Sequence, residues 1–158
     1  MVSVLSDERL YTFTGGGPPT LTELRARYER LAVGRSSDGL ERWGNWIVRR
    51  RSDGRPVGFV QATIVKDGRE ASIAWVIGVA WQGQGYATEA TKALVSWLEA
   101  RGVSSISAHI HPDHIVSAAV AAGIGLAPTD EFADGERVWR GPQPKRNPET
   151  PTAADESR

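Results

Sequence analysis

The chain has 158 residues, 40% of them hydrophobic, and a formal net charge of zero, which fits one domain with a sizeable buried core. The absence of cysteine excludes disulfides, thiolate metal sites and a cysteine nucleophile, and no segment approaches the roughly 20 consecutive apolar residues of a membrane span. No long basic stripe points to nucleic acid, and the start Met1-Val-Ser-Val-Leu-Ser-Asp-Glu lacks the basic and apolar regions of an export signal, so a cytoplasmic protein is expected.

Residues 4–14 read as a short strand, stopped by Gly15-Gly16-Gly17-Pro18-Pro19. Thr20-Leu-Thr-Glu23 is a capping-box pattern, and Leu21, Leu24, Tyr28 and Leu31 follow at helical spacing until Gly34. Residues 43–50 and 56–66 read as strands joined by Ser52-Asp53-Gly54-Arg55, which makes Arg49-Arg50-Arg51 a solvated turn rather than a nucleic-acid patch. Asp67-Gly68 turns the chain into a further strand over 69–79. A helix over 87–101 carries the apolar face Ala90, Leu94, Trp97 and Leu98, with Gly102 where a C-terminal glycine belongs. A strand over 104–111, a small-residue helix over 115–122 and a last strand over 136–139, after Ala133-Asp134-Gly135, complete the domain at 1–141. The proline-rich residues 142–158 lack apolar periodicity and read as a disordered tail. Hairpin-linked strands predict antiparallel pairing, and the strand–helix–strand unit over 73–111 predicts a parallel pair with a right-handed crossover. The expected fold is α/β, with a mixed, mostly antiparallel sheet flanked by helices.

The most informative segment is Trp75-Val-Ile-Gly-Val-Ala-Trp-Gln-Gly-Gln-Gly-Tyr-Ala-Thr-Glu-Ala90. A buried strand breaks into the turn Gln82-Gly83-Gln84-Gly85-Tyr86-Ala87, and a helix starts at once. Small residues admit an anion close to backbone N–H groups, and the helix start adds unpaired donors and the positive end of its dipole. The pattern predicts a phosphorylated cofactor. A dinucleotide fingerprint fails, because Thr88 stands where a third glycine or alanine belongs and no acidic residue follows at the ribose-binding distance; no Gly-Lys-Ser/Thr ending marks a P-loop.

Gln82-x-x-Gly85-x-Ala87, with Trp75-Val-Ile-Gly before it and Tyr86-Ala-Thr-Glu-Ala within and after it, resembles the acetyl-CoA pyrophosphate loop of the GNAT acetyltransferase superfamily, in its ribosomal-protein N-acetyltransferase-type branch. Ala108-His-Ile-His-Pro-Asp-His114-Ile-Val-Ser117, followed by Gly125-Leu126, is similar to that branch's fifth strand and fourth helix, with His114 where asparagine is usual. The resemblance implies an acyl-CoA N-acyltransferase fold whose fourth and fifth strands splay apart, with Gly78 as the bulge that parts them. It implies acetyl-CoA as acyl donor. Backbone groups of Trp75, Val76 and Ile77 would pair with pantetheine, those of Gln82, Gly83, Gln84, Gly85, Tyr86, Ala87 and Thr88 would hold the pyrophosphate, and His114 and Ser117 would complete the cofactor site.

The implied reaction is acetyl transfer to the primary amine of a small molecule or a peptide N-terminus. His109 falls at the place of that branch's fifth-strand basic glutamate. His109 and His111, two apart on a strand, share a face, and a pKa of about 6.5 suits proton uptake near neutrality; the alternative for each is a half-buried structural histidine. The branch's fourth-strand glutamate falls at Ser72, with Glu70 nearby, and the superfamily's thiolate-protonating tyrosine falls at Ala121. These departures leave a weakly active or inactive acyl-CoA-binding module as the alternative. His111-Pro-Asp-His114 lacks a fourth ligand of zinc type, so no metal is expected. Trp97 reads as core, whereas Trp43 and Trp46, with the loop 36–41, lie where an acceptor pocket would be shaped or where they simply pack. A homodimer is possible; nucleic-acid and membrane partners are not expected.

Overall fold

The computed structural model describes residues 1–65 and 67–141; the tail expected over 142–158, and the end of the strand expected to reach residue 66, lie outside the described residues. The chain opens with two short 3-10 turns, Val2–Val4 and Glu8–Tyr11, not with the expected strand. Local polar side chains explain the difference. The Asp7 carboxylate accepts from the Arg9 backbone N–H at 3.0 Å, and the Ser6 hydroxyl donates to Ser3 O at 3.0 Å; such bonds compete with a sheet ladder for the same backbone.

Helix α1 (Leu21–Ala32) begins in the expected capping box, with Glu23 N–H donating to Thr20 Oγ1 and Thr20 N–H donating to Glu23 Oε2. Strands β1 (Glu41–Arg49), β2 (Pro56–Val65) and β3 (Glu70–Ile77) form an antiparallel meander. Helix α2 (Tyr86–Glu99) crosses to β4 (Ser105–Ile110), which runs parallel to β3. Helix α3 (Ile115–Gly123) and the hairpin β5 (Ala127–Ala133)–β6 (Glu136–Arg140) complete a sheet of order β1-β2-β3-β4-β6-β5. The hairpin turn has positive φ at both Asp134 and Gly135, as a two-residue type I′ turn requires. Strand β5 was not expected: it is an edge strand, largely exposed, and its Pro128-Thr-Asp start reads as a turn.

Strand alternation divides the sheet into two unlike faces. One face carries Val60, Ala62, Ile64, Ala71, Ile73, Ile106, Ala108 and Ile110, which pack under Leu94 and Leu98 of α2 and Ala121 of α3. Thr91 is buried among them, its hydroxyl satisfied by Ala87 O at 2.7 Å. Trp46 belongs to this face and meets Trp97 edge-on at 5.0 Å, over Gly44, where an added Cβ would lie 2.2 Å from the Trp46 ring. The register puts Trp43, Asn45 and Ile47 on the opposite face, in line with Phe59, Gln61 and Thr63, then Ser72, Ala74 and Val76, then Ser107 and His109. The N-terminal turns and α1 cover that second face.

The parallel pairing of β3 and β4 covers only Glu70↔Ser105, Ala71↔Ile106 and Ser72↔Ser107, although β3 runs on to Ile77 and β4 to Ile110. The central strands therefore part beyond Ser72 and Ser107. Gly78 is not the bulge that parts them, because β2 and β3 keep one unbroken register up to Ile77. Glycine is needed there for another reason: a Cβ on Gly78 would lie 2.9 Å from both Val4 Cγ1 and Val4 O. The residue is where the N-terminal segment presses on the sheet.

Candidate active site

The parting of β3 from β4 leaves backbone groups facing an open gap. Gly78 N–H donates to Val57 O on the β2 side, whereas Arg69 O accepts from Ser105 N–H on the β4 side. Ladder alternation then turns the amide groups of Ile73, Trp75 and Ile77 toward the gap. Ile77 O is occupied, since the Gln82 side-chain amide donates to it at 2.9 Å. Val76 points its carbonyl at β2, where a Cβ on Gly58 would lie 2.1 Å from it. Of the residues expected to offer backbone groups to the gap, Trp75 does so freely, Ile77 through its N–H, and Val76 does not.

From Ile77 the chain passes through Gly78 and a single 3-10 turn, Val79–Trp81, into the glycine loop. Gly83 and Gly85 have φ of 73° and 83°, left-handed values that a side chain would strain. Both have open space where a Cβ would stand. Gly85 is the N-cap of α2 and supplies no side-chain cap. Among the described residues, the backbone N–H groups of Gly83, Gln84, Gly85, Tyr86, Ala87 and Thr88 have no protein acceptor, whereas that of Gln82, expected with them, is taken by Val79 O at 3.2 Å in closing the 3-10 turn. The Gln84 amide donates back to Ala80 O at 3.3 Å, and the Thr88 methyl is 3.5 Å from where a Cβ on Gly123 of α3 would stand. The result is an exposed run of donors at a helix N-terminus, suited to an anion. The β1–β2 turn lies beside it: Arg51 is 4.0 Å from Glu89 in the first turn of α2.

Under the N-terminal segment, where the strands part, lies a cavity of about 500 Å³, within the range of small-ligand sites. His109, His111, His114 and Ser117 line it together, with Trp75, Val76 and Ser72. The loop residues 82–88 lie outside it. His109 is exposed into it from β4. His111 Nδ1 accepts from Asp113 N–H at 3.2 Å, which places the proton of the neutral ring on Nε2. Phe13 stacks on His114 at 4.5 Å between ring centres and tilts against His111 at 5.3 Å. Burial, and then the nearby His111, push the His114 pKa below its ordinary value, against an upward pull from Glu136. Ala121 is fully buried in the core and does not reach the cavity. Among the described residues no group of three or more His, Asp or Glu side chains gathers to hold a metal ion, and no helix is long and apolar enough to cross a membrane.

Sequence reasoning missed several residues that line this space. Glu136 enters from β6 beside His111, because Ile110 pairs with Arg137. Tyr11 and Phe13 enter from the turn misread as a strand, and Arg27 from α1. Their positions depend on tertiary packing; the only local signal was the Asp7-Glu-Arg turn pattern. A second cavity of about 370 Å³ adjoins the first, shares Leu5, Arg27, Phe59 and Gln61 with it, and is walled by Tyr28, Trp43 and Asn45.

A mixed sheet whose central parallel strands part over a cavity, with a glycine turn at the following helix N-terminus, defines an acyl-CoA N-acyltransferase fold. The acetyltransferase (GNAT) domain family matches residues 1–127, and the chain belongs to that family. No curated protein matches the sequence. Among solved structures, the fold is similar to AAC(6')-Ib in complex with paromomycin and acetyl-CoA, at TM-score 0.69 and 20% identity over 88% of this chain and 83% of that one. It is also similar to a domain from Methanocaldococcus jannaschii, at TM-score 0.68 and 18% identity over 88% and 87% of the two chains. A Vibrio cholerae protein assigned as a ribosomal-protein-serine acetyltransferase matches at TM-score 0.59 and 21% identity over 77% and 74%. At these identities the likeness is one of fold.

Proposed function

We propose that the protein is an acetyl-CoA-dependent N-acetyltransferase acting on a primary amine. The observation that supports this best is the gap beyond Ser72 and Ser107, followed along β3 by a loop of amide donors without protein acceptors. In this reading the free edge of β3 at Trp75 and the N–H of Ile77 pair with the pantetheine arm, and the Gly83–Thr88 donors hold the pyrophosphate. His114 and Ser117 flank the arm from α3. The acceptor nitrogen enters from the side of α1 and attacks the thioester carbonyl. The N–C bond forms, the C–S bond breaks, the amine proton passes to His109, directly or through water, and CoA leaves as a thiolate that takes a proton from solvent. His111, with its proton on Nε2, serves as a donor to the developing oxyanion. A thiol of pKa about 8.5 leaves without a dedicated acid, which accommodates Ala121. The branch resemblance carried by residues 108–126 is consistent with the Vibrio cholerae neighbour, whose assigned acceptor is a ribosomal protein.

The buried Ala121 and the serine at position 72 favour one second reading, an acyl-CoA-binding module without turnover. Calorimetry with acetyl-CoA, joined to a free-thiol assay over an amine panel, separates the two. Binding with thiol release and an acetylated amine supports the enzyme; binding without thiol release supports the module; no binding removes both.

A further inference from the structure

We infer that the acceptor carries a carboxylate, seated on Arg27, on an apolar or aromatic body; this rests on the acetyltransferase reading. Arg27 lies where the two cavities meet and is the only charged residue lining the second one among the described residues. It makes no ion pair or hydrogen bond to a protein acceptor among those residues; its guanidinium sits over the Phe59 ring at 5.5 Å. A half-buried arginine whose guanidinium has five donors and no protein acceptor suits a carboxylate. Tyr28 stands in the same wall, with its hydroxyl buried and without a protein partner among the described residues. Burial raises the pKa of both Tyr28 and Tyr11, against a smaller downward pull from the positive charge of Arg27.

The rest of the second cavity is apolar or neutral, built from Leu24, Leu31, Trp43 and Ile47 around the amides of Asn45 and Gln61. A polycation needs carboxylates along its path, and among the described residues Glu136 is the one carboxylate that lines either cavity, on the histidine side. Such walls disfavour a polyamine or an aminoglycoside and suit an amine with one anionic group and an aromatic or aliphatic side chain. The amine then lies toward His109 and the carboxylate toward Arg27.

The test uses phenylalanine and tryptophan against their decarboxylated counterparts phenethylamine and tryptamine, with spermidine and kanamycin as polycations. Binding is measured by calorimetry and by tryptophan fluorescence with CoA present, so that it is read without turnover. The carboxylate-bearing amines are expected to bind at least about tenfold more tightly than their decarboxylated partners. Arg27→Gln is expected to abolish that preference while leaving phenethylamine binding within about threefold, and Arg27→Lys to restore part of it; an unchanged Tm shows that the variants fold. Equal binding of the two sets, a preference that survives Arg27→Gln, tighter binding of spermidine or kanamycin, or no binding by any of these amines would overturn the inference. Failure of acetyl transfer alone, with the carboxylate preference intact, would fall on the acetyltransferase reading instead.

Discussion

Replacing Gly85 by valine tests the loop most sharply, because its effects on stability and on ligand binding separate. Gly85 has φ of 83° and open space at its Cβ position. Without ligand the substitution costs only the left-handed backbone strain, about 1–2 kcal/mol or somewhat more for a branched side chain. In a chain of this length that lowers Tm by about 2–8 °C. With ligand the valine side chain fills the space through which phosphate oxygens approach the Gly83–Thr88 amides. Loss of two charge-assisted hydrogen bonds, each worth about 1.5–3 kcal/mol, weakens acetyl-CoA binding by about 10²–10⁴-fold. Gly102→Val is the matched control. Its φ is 87°, its Cβ position is also open, and it lies beyond the other end of α2, about 20 Å along the helix. It should show the same fall in Tm with unchanged acetyl-CoA affinity by calorimetry. Wild-type affinity in Gly85→Val, or equal loss in both variants, would refute the placement of the anion on this loop.

His109→Ala should lower kcat by at least about a hundredfold with acetyl-CoA affinity unchanged, as expected for loss of a general base; a pH–rate profile identical to that of the wild type would remove His109 from the role. Gly58→Ala would place a Cβ 2.1 Å from Val76 O, a backbone atom, and should destabilise by about 1–3 kcal/mol or more, read as a lower midpoint in urea unfolding. The His114 pKa is lowered in the folded state, chiefly by burial. The unfolded chain therefore binds the extra proton first, and this contribution to stability is complete above about pH 6.5 and lost as pH falls through the lower folded value. Tm should fall on acidification below that point, and His114→Asn should flatten the fall; an unchanged slope in the variant would assign the effect elsewhere.

The meander, the crossover and the start of α2 were legible because each has a local cause. Asp67-Gly68 turns the chain, the capping box starts α1, and the Gly83/Gly85 loop leads into the N-terminus of α2. Residues 4–14 were misread because the Asp7–Arg9 side-chain bonds, which coil the segment, stand among flanking apolar residues that also suit a strand. That error concealed Phe13, which stacks on His114, and Tyr11, which lines the same cavity. Strand β5 was hidden by Pro128 at an exposed edge. In the site, the shared face of His109 and His111 followed from strand period, and both line the cavity. Arg27 and Glu136 were not legible: they come from α1 and β6, elements remote in sequence whose approach depends on packing. Gly78 shows the same limit, since the glycine was noticed but its reason, contact with Val4, is tertiary.

The central claim is acetyl transfer to an amine, and mass spectrometry of the amine panel after incubation with acetyl-labelled acetyl-CoA tests it most directly. An N-acetylated amine formed in equal amount with free CoA thiol, and lost in Gly85→Val, is the predicted result. Tight acetyl-CoA binding with no labelled amine from any member of the panel would contradict it.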